Sequence, residues 1–421
     1  MPLYGRLPNP NPENLITGSP DYAPAPEFTP EEEAIVADSP FNHLPEAPPR
    51  AEGAGTVVNT EEASLMIDDR LWDAKATRYQ YRSTDSLGNA SEDTAIYIDP
   101  NKPWTGPGER PLVAVPAGTQ GTGQHCDPSL SIQSGPEIRI DPFDMVFPYE
   151  AIPVGVHLER GAAVVLIDHH RNADGHQAYL DNIASGQSTL DAIAAAQELG
   201  VSPEAPVGIH GYSQGGGAAA AAAERAEVYA PELNIVATAA GGPTVSPGTT
   251  IDQFNGTGAG SYSLLALNTL LDKDPALKEV VRGDLSATGQ QALDDVRHYC
   301  VPGLVGHYGL ETDDTWTAQG ERLTAVIERY APLTTEIERQ RVGKFVPNAP
   351  VFLFHAVNDD IVPFESATQL RNDWEGLGFS ELTWHADETI PILPKSATNH
   401  ALAMVLNLDR AADFVWGHFP R

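Results

Sequence analysis

The pentapeptide Gly211-Tyr212-Ser213-Gln214-Gly215 carries the most specific chemical signal in this chain of 421 residues. The apolar run VGIH precedes it, and the run GGGAAAAAAERA, which favours a helix, follows Gln214. A serine on a tight strand-to-helix turn has an exposed hydroxyl, and the turn needs small residues because neighbouring chain passes close to it. We therefore predict that Ser213 is a nucleophile that forms a covalent acyl intermediate. The alternative, an ordinary turn, is disfavoured by the strand and helix around the motif.

A carboxylate that could partner a catalytic histidine follows the later apolar run VFLFHA. The segment NDDIVP, residues 358–363, contains two adjacent acids. Asp359 has the better spacing from His355 and from the Val-Pro pair that follows, so we predict that Asp359 is the acid of a triad. We interpret Asp360 as an exposed loop charge.

His400 is the predicted base, because it lies late in the chain at the start of the last amphipathic helix, in TNHALAMVLNL. It would take the proton of Ser213 and pass it to the leaving alcohol, while Asp359 fixes its tautomer. The chain has 13 histidines, and His385 is the main alternative. His385 lies in LTWHAD, which is typical of a strand, so we predict a packed or edge position for it.

A tetrahedral intermediate needs backbone N–H donors already in place for its oxyanion. The first predicted donor is the amide of Gln214. The second should come from the loop Gly118-Thr119-Gln120-Gly121, after the apolar run PLVAVPA, and we favour the Gln120 amide, with Gly121 as the second choice. A plain glycine-rich turn remains the alternative interpretation of this loop.

These residues need a scaffold, and the sequence predicts a mostly parallel, doubly wound α/β sheet. Short, continuously apolar runs alternate with longer helical stretches, which is typical of parallel strands covered on both faces. An antiparallel hairpin is predicted from two earlier runs joined by SLGNASE. The predicted parallel strands are 111–117, 162–168, 207–213, 233–240 and 351–357, and the hairpin strands are 77–85 and 93–99.

Composition divides the chain further. Residues 1–50 are rich in proline and acids and have few apolar residues, so we predict that they cannot order themselves and form a tail draped on the domain. Residues 246–345 are helical and lie between two core strands, so we predict an inserted cap over the catalytic face. The catalytic domain then comprises residues 51–245 and 346–421.

The charge balance restricts the partners. With 58 acidic and 25 basic residues, the formal net charge is -33, so nucleic acid is not an expected partner, and any transient contact with a lipid interface must be apolar. No apolar run is long enough for a membrane-spanning helix, and no signal peptide is visible at the N-terminus. Cys126 and Cys300, the two cysteines, permit either one bridge or two free thiols.

From residue 55 to the C-terminus the chain resembles the secretory lipase family of actinobacteria and fungi, the lipase A type. The resemblance is carried by GTVVNTEEASLM, YRSTDSLGN, AGTQGTGQHCDPS, HGYSQGG, NDDIVP and TNHALA, in that order. It implies an α/β-hydrolase fold with a helical cap that hydrolyses acylglycerols and related carboxylic esters without a cofactor. It also implies a disulfide between Cys126 and Cys300, and an extracellular location.

One segment departs from the family pattern. Relatives usually have a tyrosine and a glycine-rich stretch after the strand that ends at Asp168, but this chain has HHRNADGH at 169–176. Three histidines near acids could suggest a metal site, but their spacing is not distinctive, so we predict no metal. Because the loop is expected near the cleft, it leaves the substrate preference open.

Three other functions fit parts of this pattern. An esterase for short-chain or polymeric esters would share the same serine motif. A non-catalytic binding protein on the same fold is a second possibility, because a fold does not fix a function. A serine peptidase is the third, although no feature of the chain selects peptides. The sequence predicts neither the oligomeric state nor the acyl-chain length.

Overall fold

A nine-stranded sheet forms the centre of the computed structural model, which describes residues 27–66 and 72–420. The described strands are β1 Val57–Ala63, β2 Ala74–Thr84, β3 Ala90–Pro100, β4 Leu112–Pro116, β5 Glu137–Ile140, β6 Phe143–Val146, β7 Ala163–Ile167, β8 Val207–Tyr212, β9 Ile235–Gly241, β10 Val351–Ala356 and β11 Leu382–Asp387. Their order in the large sheet is β1-β2-β3-β7-β4-β8-β9-β10-β11, and β5 and β6 form a separate pair. The six strands from β7 to β11 in this order are parallel, whereas β1, β2 and β3 are antiparallel. The prediction of a mostly parallel sheet preceded by a hairpin is therefore confirmed.

Helices connect these strands. The described helices are α1 Pro30–Asp38, α2 Pro128–Ser134, α3 Ala151–Glu159, α4 Asn182–Glu198, α5 Gln214–Tyr229, α6 Pro247–Phe254, α7 Tyr262–Asp272, α8 Pro275–Gly283, α9 Ala287–Asp295, α10 Val301–Tyr308, α11 Leu323–Glu328, α12 Ala331–Arg339, α13 Phe364–Gly376 and α14 Thr398–Gly417. None of these described helices combines the length and apolar composition needed to cross a membrane.

Strand residues alternate between two buried layers, as the two-residue period of a strand requires. Leu112 and Ala114 of β4 pack on the side covered by α4, α5 and α13. Val113 and Val115 pack on the opposite side, with α3 and α14. Both faces of the parallel strands are covered, which is the doubly wound arrangement that the continuously apolar runs predicted.

The helices α6 to α12 lie between β9 and β10 and bury their own apolar cluster, which includes Leu264, Leu271 and Leu333. The amide of Val342 donates to the carbonyl of Val245 across 2.9 Å. The chain therefore leaves the sheet and returns to it at neighbouring points.

Part of the predicted tail is ordered. Residues 1–26 lie outside the described residues, but Pro30–Asp38 is a helix, with a capping box in which Thr29 and Glu32 exchange hydrogen bonds. Phe41 is buried in the same apolar cluster as the inserted helices. Residues 30–38 and 40–43 are helical, contrary to the expectation that this segment cannot order itself, because Phe41 is buried and Ile35 and Val36 of α1 pack against the same cluster.

The antiparallel pair of β5 and β6 was not predicted from the sequence. Each strand has only four residues, and its partner is the adjacent strand in the chain. Alternation over so few residues is too short a pattern to distinguish a strand from a loop.

Candidate active site

Ser213 lies on a tight turn between β8 and α5. Its φ of 60° and ψ of −124° fall in a region that residues with a side chain rarely adopt. A Cβ atom on Gly211 would lie 2.0 Å from the carbonyl oxygen of Gly215, and one on Gly215 would lie 2.1 Å from the carbonyl oxygen of Pro116. Both flanking positions therefore require glycine, for the steric reason that the sequence motif implies.

Asp359 and His400 are in direct contact. Nδ1 of His400 lies 2.7 Å from Oδ2 of Asp359, whose carboxylate is fully buried in the loop after β10. The amides of Ile361 and Val362 both donate to the other carboxylate oxygen across 2.9 Å. Burial acts to raise the pKa of Asp359, but the two neighbouring histidines, His400 and His355, hold that pKa well below its usual range. An ionised Asp359 keeps the proton of His400 on Nδ1 and leaves Nε2 available as a base.

The histidine is also held beside the serine turn. The hydroxyl of Tyr212, the residue before Ser213, donates to the carbonyl oxygen of His400 across 2.7 Å, and the two rings lie 5.0 Å apart. Nε2 of His400 is buried and has no hydrogen-bond partner among the described residues, so it is not bonded to the Ser213 hydroxyl. The structure thus brings the predicted acid and base together, and it places the base against the residue next to the predicted nucleophile.

Asp360 has a different position from the one expected. It is only 8% exposed, and its carboxylate accepts hydrogen bonds from the amides of Ala397 (3.1 Å) and His400 (3.3 Å), at the start of α14. The interpretation of Asp360 as an exposed loop charge was therefore wrong. A carboxylate at a helix N-terminus satisfies amides that have no acceptor within the helix, and here it fixes the backbone of His400.

The predicted oxyanion loop follows β4 and is held by two side chains that the sequence did not single out. Glu150 accepts a hydrogen bond from the amide of Gly118 across 2.6 Å, and the hydroxyl of Tyr149 donates to the carbonyl of Thr119 across 2.7 Å. Burial raises the pKa of Glu150 to about 7, against the lowering effect of the Gly118 hydrogen bond. Nothing in the residue types around Glu150 signalled this contact, because it depends on how α3 packs beside β4.

The two predicted oxyanion donors belong to different segments, Gln120 to the loop after β4 and Gln214 to the start of α5. Gln120 is buried, and its carbonyl accepts from the amide of Val301 across 2.9 Å. Gln214 is the first residue of α5, where a backbone N–H has no acceptor within the helix, and its side-chain amide donates to the side chain of Gln177 across 3.0 Å. Gly121, the second choice, has a φ of 120°, and a Cβ there would lie 2.6 Å from the Tyr299 carbonyl.

The histidine-rich loop that departs from the family pattern packs against the same region. Nε2 of His169 lies 2.5 Å from the carbonyl oxygen of Ala117, at the end of the strand that leads into the oxyanion loop. Nδ1 of His170 lies 3.0 Å from Asp93, and Arg171 forms an ion pair with Asp127. These contacts give His169 and His170 a place in the hydrogen-bond network that supports the site.

Cys126 and Cys300 form a disulfide with a Cα–Cα distance of 5.5 Å, as the family resemblance implied. It joins the segment after the oxyanion loop to the start of α10. Gly121 and Cys300 also form an isolated antiparallel bridge. The inserted helices are therefore tied covalently to the edge of the sheet that carries the candidate site.

Solved structures resemble this chain over most of its length. Candida antarctica lipase A in its closed state matches with a TM-score of 0.72 and 24% identity, covering 92% of this chain and 87% of that one. The rice cell wall degrading esterase LipA from Xanthomonas oryzae matches with a TM-score of 0.68 and 16% identity, covering 86% and 99%. At these identities the likeness establishes the α/β-hydrolase fold.

Sequence comparisons identify the family. A probable inactive lipase of Mycobacterium tuberculosis is 26% identical over 373 residues, covering 86% of this chain and 80% of that protein. Lipase A of Moesziomyces aphidis is 28% identical over 324 residues (74% and 67%), and a secreted triacylglycerol lipase of Malassezia globosa is 27% identical over 267 residues (62% and 55%). The family model described as secretory lipase matches residues 143–412. Because this match covers more than half of the chain, the protein belongs to the secretory lipase family.

Proposed function

We propose that this protein is a serine hydrolase of carboxylic esters that acts on acylglycerols or related esters through an acyl-enzyme on Ser213. The observation that carries the proposal is the hydrogen bond between Asp359 and His400 beside the strained turn of Ser213. A nucleophile on the turn between β8 and α5, an acid in the loop after β10 and a base in the first turn of α14 are the groups that acyl transfer requires.

In the proposed reaction, Oγ of Ser213 attacks the carbonyl carbon of the ester while Nε2 of His400 takes the hydroxyl proton. The carbonyl oxygen becomes an oxyanion, which accepts hydrogen bonds from the amides of Gln214 and Gln120. The C–O bond to the alcohol then breaks, and His400 returns its proton to the departing oxygen. Water repeats the sequence on the acyl-enzyme, with His400 again as base, and releases the acid.

His400 and Ser213 are not hydrogen-bonded before substrate arrives, and this fits the proposal. Hydrogen bonds between catalytic groups are often long in free enzymes and tighten in the complex with substrate. Nε2 of His400 is buried and has no partner within residues 27–66 and 72–420, so an approaching hydroxyl would supply a hydrogen bond that this nitrogen lacks there.

A non-catalytic binding protein is the second candidate. One relative is named a probable inactive lipase and is 26% identical to this chain. The presence of a serine, a histidine and an aspartate at the three motif positions favours catalysis here, because a binding role requires none of the three.

Hydrolysis of p-nitrophenyl esters from acetate to palmitate tests both candidates. We expect turnover by the natural protein and a loss of about 10⁶-fold in kcat for Ser213→Ala, because the hydroxyl is the attacking group. Ser202→Ala, on the loop after α4, is the matched control and should keep full activity. Near-equal turnover by Ser213→Ala and the natural protein would refute the proposed nucleophile, and no turnover of any ester by the natural protein would favour the binding role.

The same ester series addresses the substrate class. We propose that the inserted helices, within residues 246–345, act as a cap domain that forms a wall of the acyl-binding region. Both ends of this insertion meet at the Val245–Val342 hydrogen bond, close to the end of β9. Ligands of open α/β sheets bind outside the carboxyl ends of the strands, where these helices begin. A maximum at long acyl chains would support a lipase, and a maximum at acetate or butyrate would support a short-chain esterase.

A further inference from the structure

The ribbon formed by β5 and β6 presents an apolar face to solvent. Ile138 pairs with Met145 and Ile140 pairs with Phe143, so these four side chains share one face of the ribbon. Ile138 is 67% exposed, Ile140 is 85% exposed and Phe143 is 43% exposed. A group of large apolar side chains on one exposed surface marks an interaction site more often than single scattered ones do.

The opposite face of the ribbon anchors it to the molecule. Asp144 is buried and accepts a hydrogen bond from the amide of Cys300 across 3.1 Å. Val146 packs against the disulfide between Cys126 and Cys300. The ribbon is therefore held in a fixed orientation, and its outer face is directed outward by the packing of its inner face.

This face lies close to the candidate active site. Nε2 of His307, on α10, lies 2.8 Å from the carbonyl oxygen of Phe143, and Val301 at the start of the same helix bonds to Gln120 of the oxyanion loop. Two more exposed apolar side chains adjoin this region: Phe147 directly follows β6, and Val305 lies on α10. One short helix thus connects the exposed ribbon to the oxyanion loop.

We propose that the outer face of the ribbon docks the protein on the surface of neutral or zwitterionic lipid. The four side chains that form this face carry no charge, whereas the whole chain has a formal net charge of -33. That charge repels an anionic lipid surface and also repels a second copy of the chain, so an uncharged surface is the partner that fits. The inference rests on the proposed ester hydrolysis, since docking here would bring the oxyanion loop close to esters held in lipid.

The test compares Ile138→Ser/Ile140→Ser with Val228→Ser. Val228 is 69% exposed and lies near the end of α5 that is remote from Ser213. The control substitution therefore removes a similarly exposed apolar side chain from another surface. Binding is measured by flotation with phosphatidylcholine vesicles and with trioleoylglycerol emulsion. We expect the double variant to bind at least about tenfold more weakly, because two large apolar side chains no longer enter the lipid, and the control to bind like the natural protein.

Hydrolysis of dissolved p-nitrophenyl acetate separates docking from catalysis and should be unchanged in both variants. Equal vesicle binding by the double variant and the natural protein would overturn the proposal. So would tighter binding to phosphatidylglycerol vesicles than to phosphatidylcholine, or a dimer in sedimentation that the double variant converts to a monomer. If the natural protein binds phosphatidylcholine through the ribbon but hydrolyses no p-nitrophenyl ester from acetate to palmitate, the proposed function fails while the docking surface stands.

Discussion

At the scale of single residues, adjacent side chains with similar chemistry have separate tasks because they point to different partners. Asp359 accepts from the His400 ring and from two loop amides, whereas Asp360 accepts from the backbone at the start of α14. Spacing in the sequence was enough to choose Asp359 as the partner of His400. It could not show that Asp360 is buried, because that depends on where the last helix docks.

Replacing each acid by its amide should separate these tasks. Asp359→Asn should lower kcat by about 10⁴-fold, because the amide no longer holds the proton of His400 on Nδ1. Asp360→Asn keeps one oxygen acceptor, so we expect it to lower stability by about 1 to 3 kcal/mol with a much smaller effect on kcat. The two quantities are measured by ester hydrolysis and urea unfolding, and equal losses of kcat would show that the assignment is wrong.

The buried carboxyl of Glu150 should make the stability of the protein depend on pH. Burial raises its pKa from the ordinary value of 4.5 to about 7 on folding, so the unfolded chain releases this proton at lower pH than the folded protein does. The contribution of the protonated Glu150 carboxyl to the free energy of unfolding is therefore fully present below pH 4.5 and is lost as the pH rises towards 7. Glu150→Gln keeps an acceptor for Gly118 but does not titrate. Relative to this variant, the free energy of unfolding of the natural protein should fall by up to about 3 kcal/mol as the pH rises through this range.

Urea unfolding of both proteins at several pH values measures that difference, since all other titrating groups are shared. If the free energies of unfolding of the two proteins run parallel from acid to neutral pH, Glu150 does not titrate in this range.

At the scale of elements, long and strongly patterned segments were predictable and short ones were not. The apolar parallel strands, the serine turn and the alanine-rich α5 have sequence patterns that follow directly from burial on two faces. The capping box of Thr29 and Glu32 is a sequence signature for the start of α1. The prolines and acids around it predicted a tail instead of a helix. The four-residue strands of the ribbon have no such signal, because their position depends on the disulfide and α10.

The disulfide should be a major stabilising element. It links residues separated by 174 positions, and closing so long a loop in the unfolded chain is worth about 5 kcal/mol in the entropy model. Cys126→Ala/Cys300→Ala should therefore lower the free energy of unfolding by about that amount. Urea unfolding measures it, with the reduced natural protein as a comparison. Two free thiols in the unreduced protein, found by mass spectrometry, would contradict the bridge.

At the scale of the whole molecule, the inserted helices are fixed to the core at several separate points. Besides the disulfide and the Val245–Val342 connection, Lys273 of the insertion forms a buried ion pair with Asp181, at the start of α4, across 2.7 Å. Burial acts to raise the pKa of Asp181, but Lys273 lowers it to about 2. The sequence indicated an inserted helical segment from its position between strands. It could not indicate these contacts, which join residues far apart in the chain.

Covalent trapping can identify the residue that carries the acyl group during ester hydrolysis, which we propose is Ser213. A fluorophosphonate reacts with a serine hydroxyl that is activated by a neighbouring base, and peptide mapping by mass spectrometry then identifies the modified residue. We predict one phosphonate, on the peptide that contains Ser213, with loss of ester hydrolysis in step with labelling and no labelling of Ser213→Ala. A protein that hydrolyses esters but carries the label on another residue, or remains unlabelled at Ser213 while fully inhibited, would show that Ser213 is not the nucleophile.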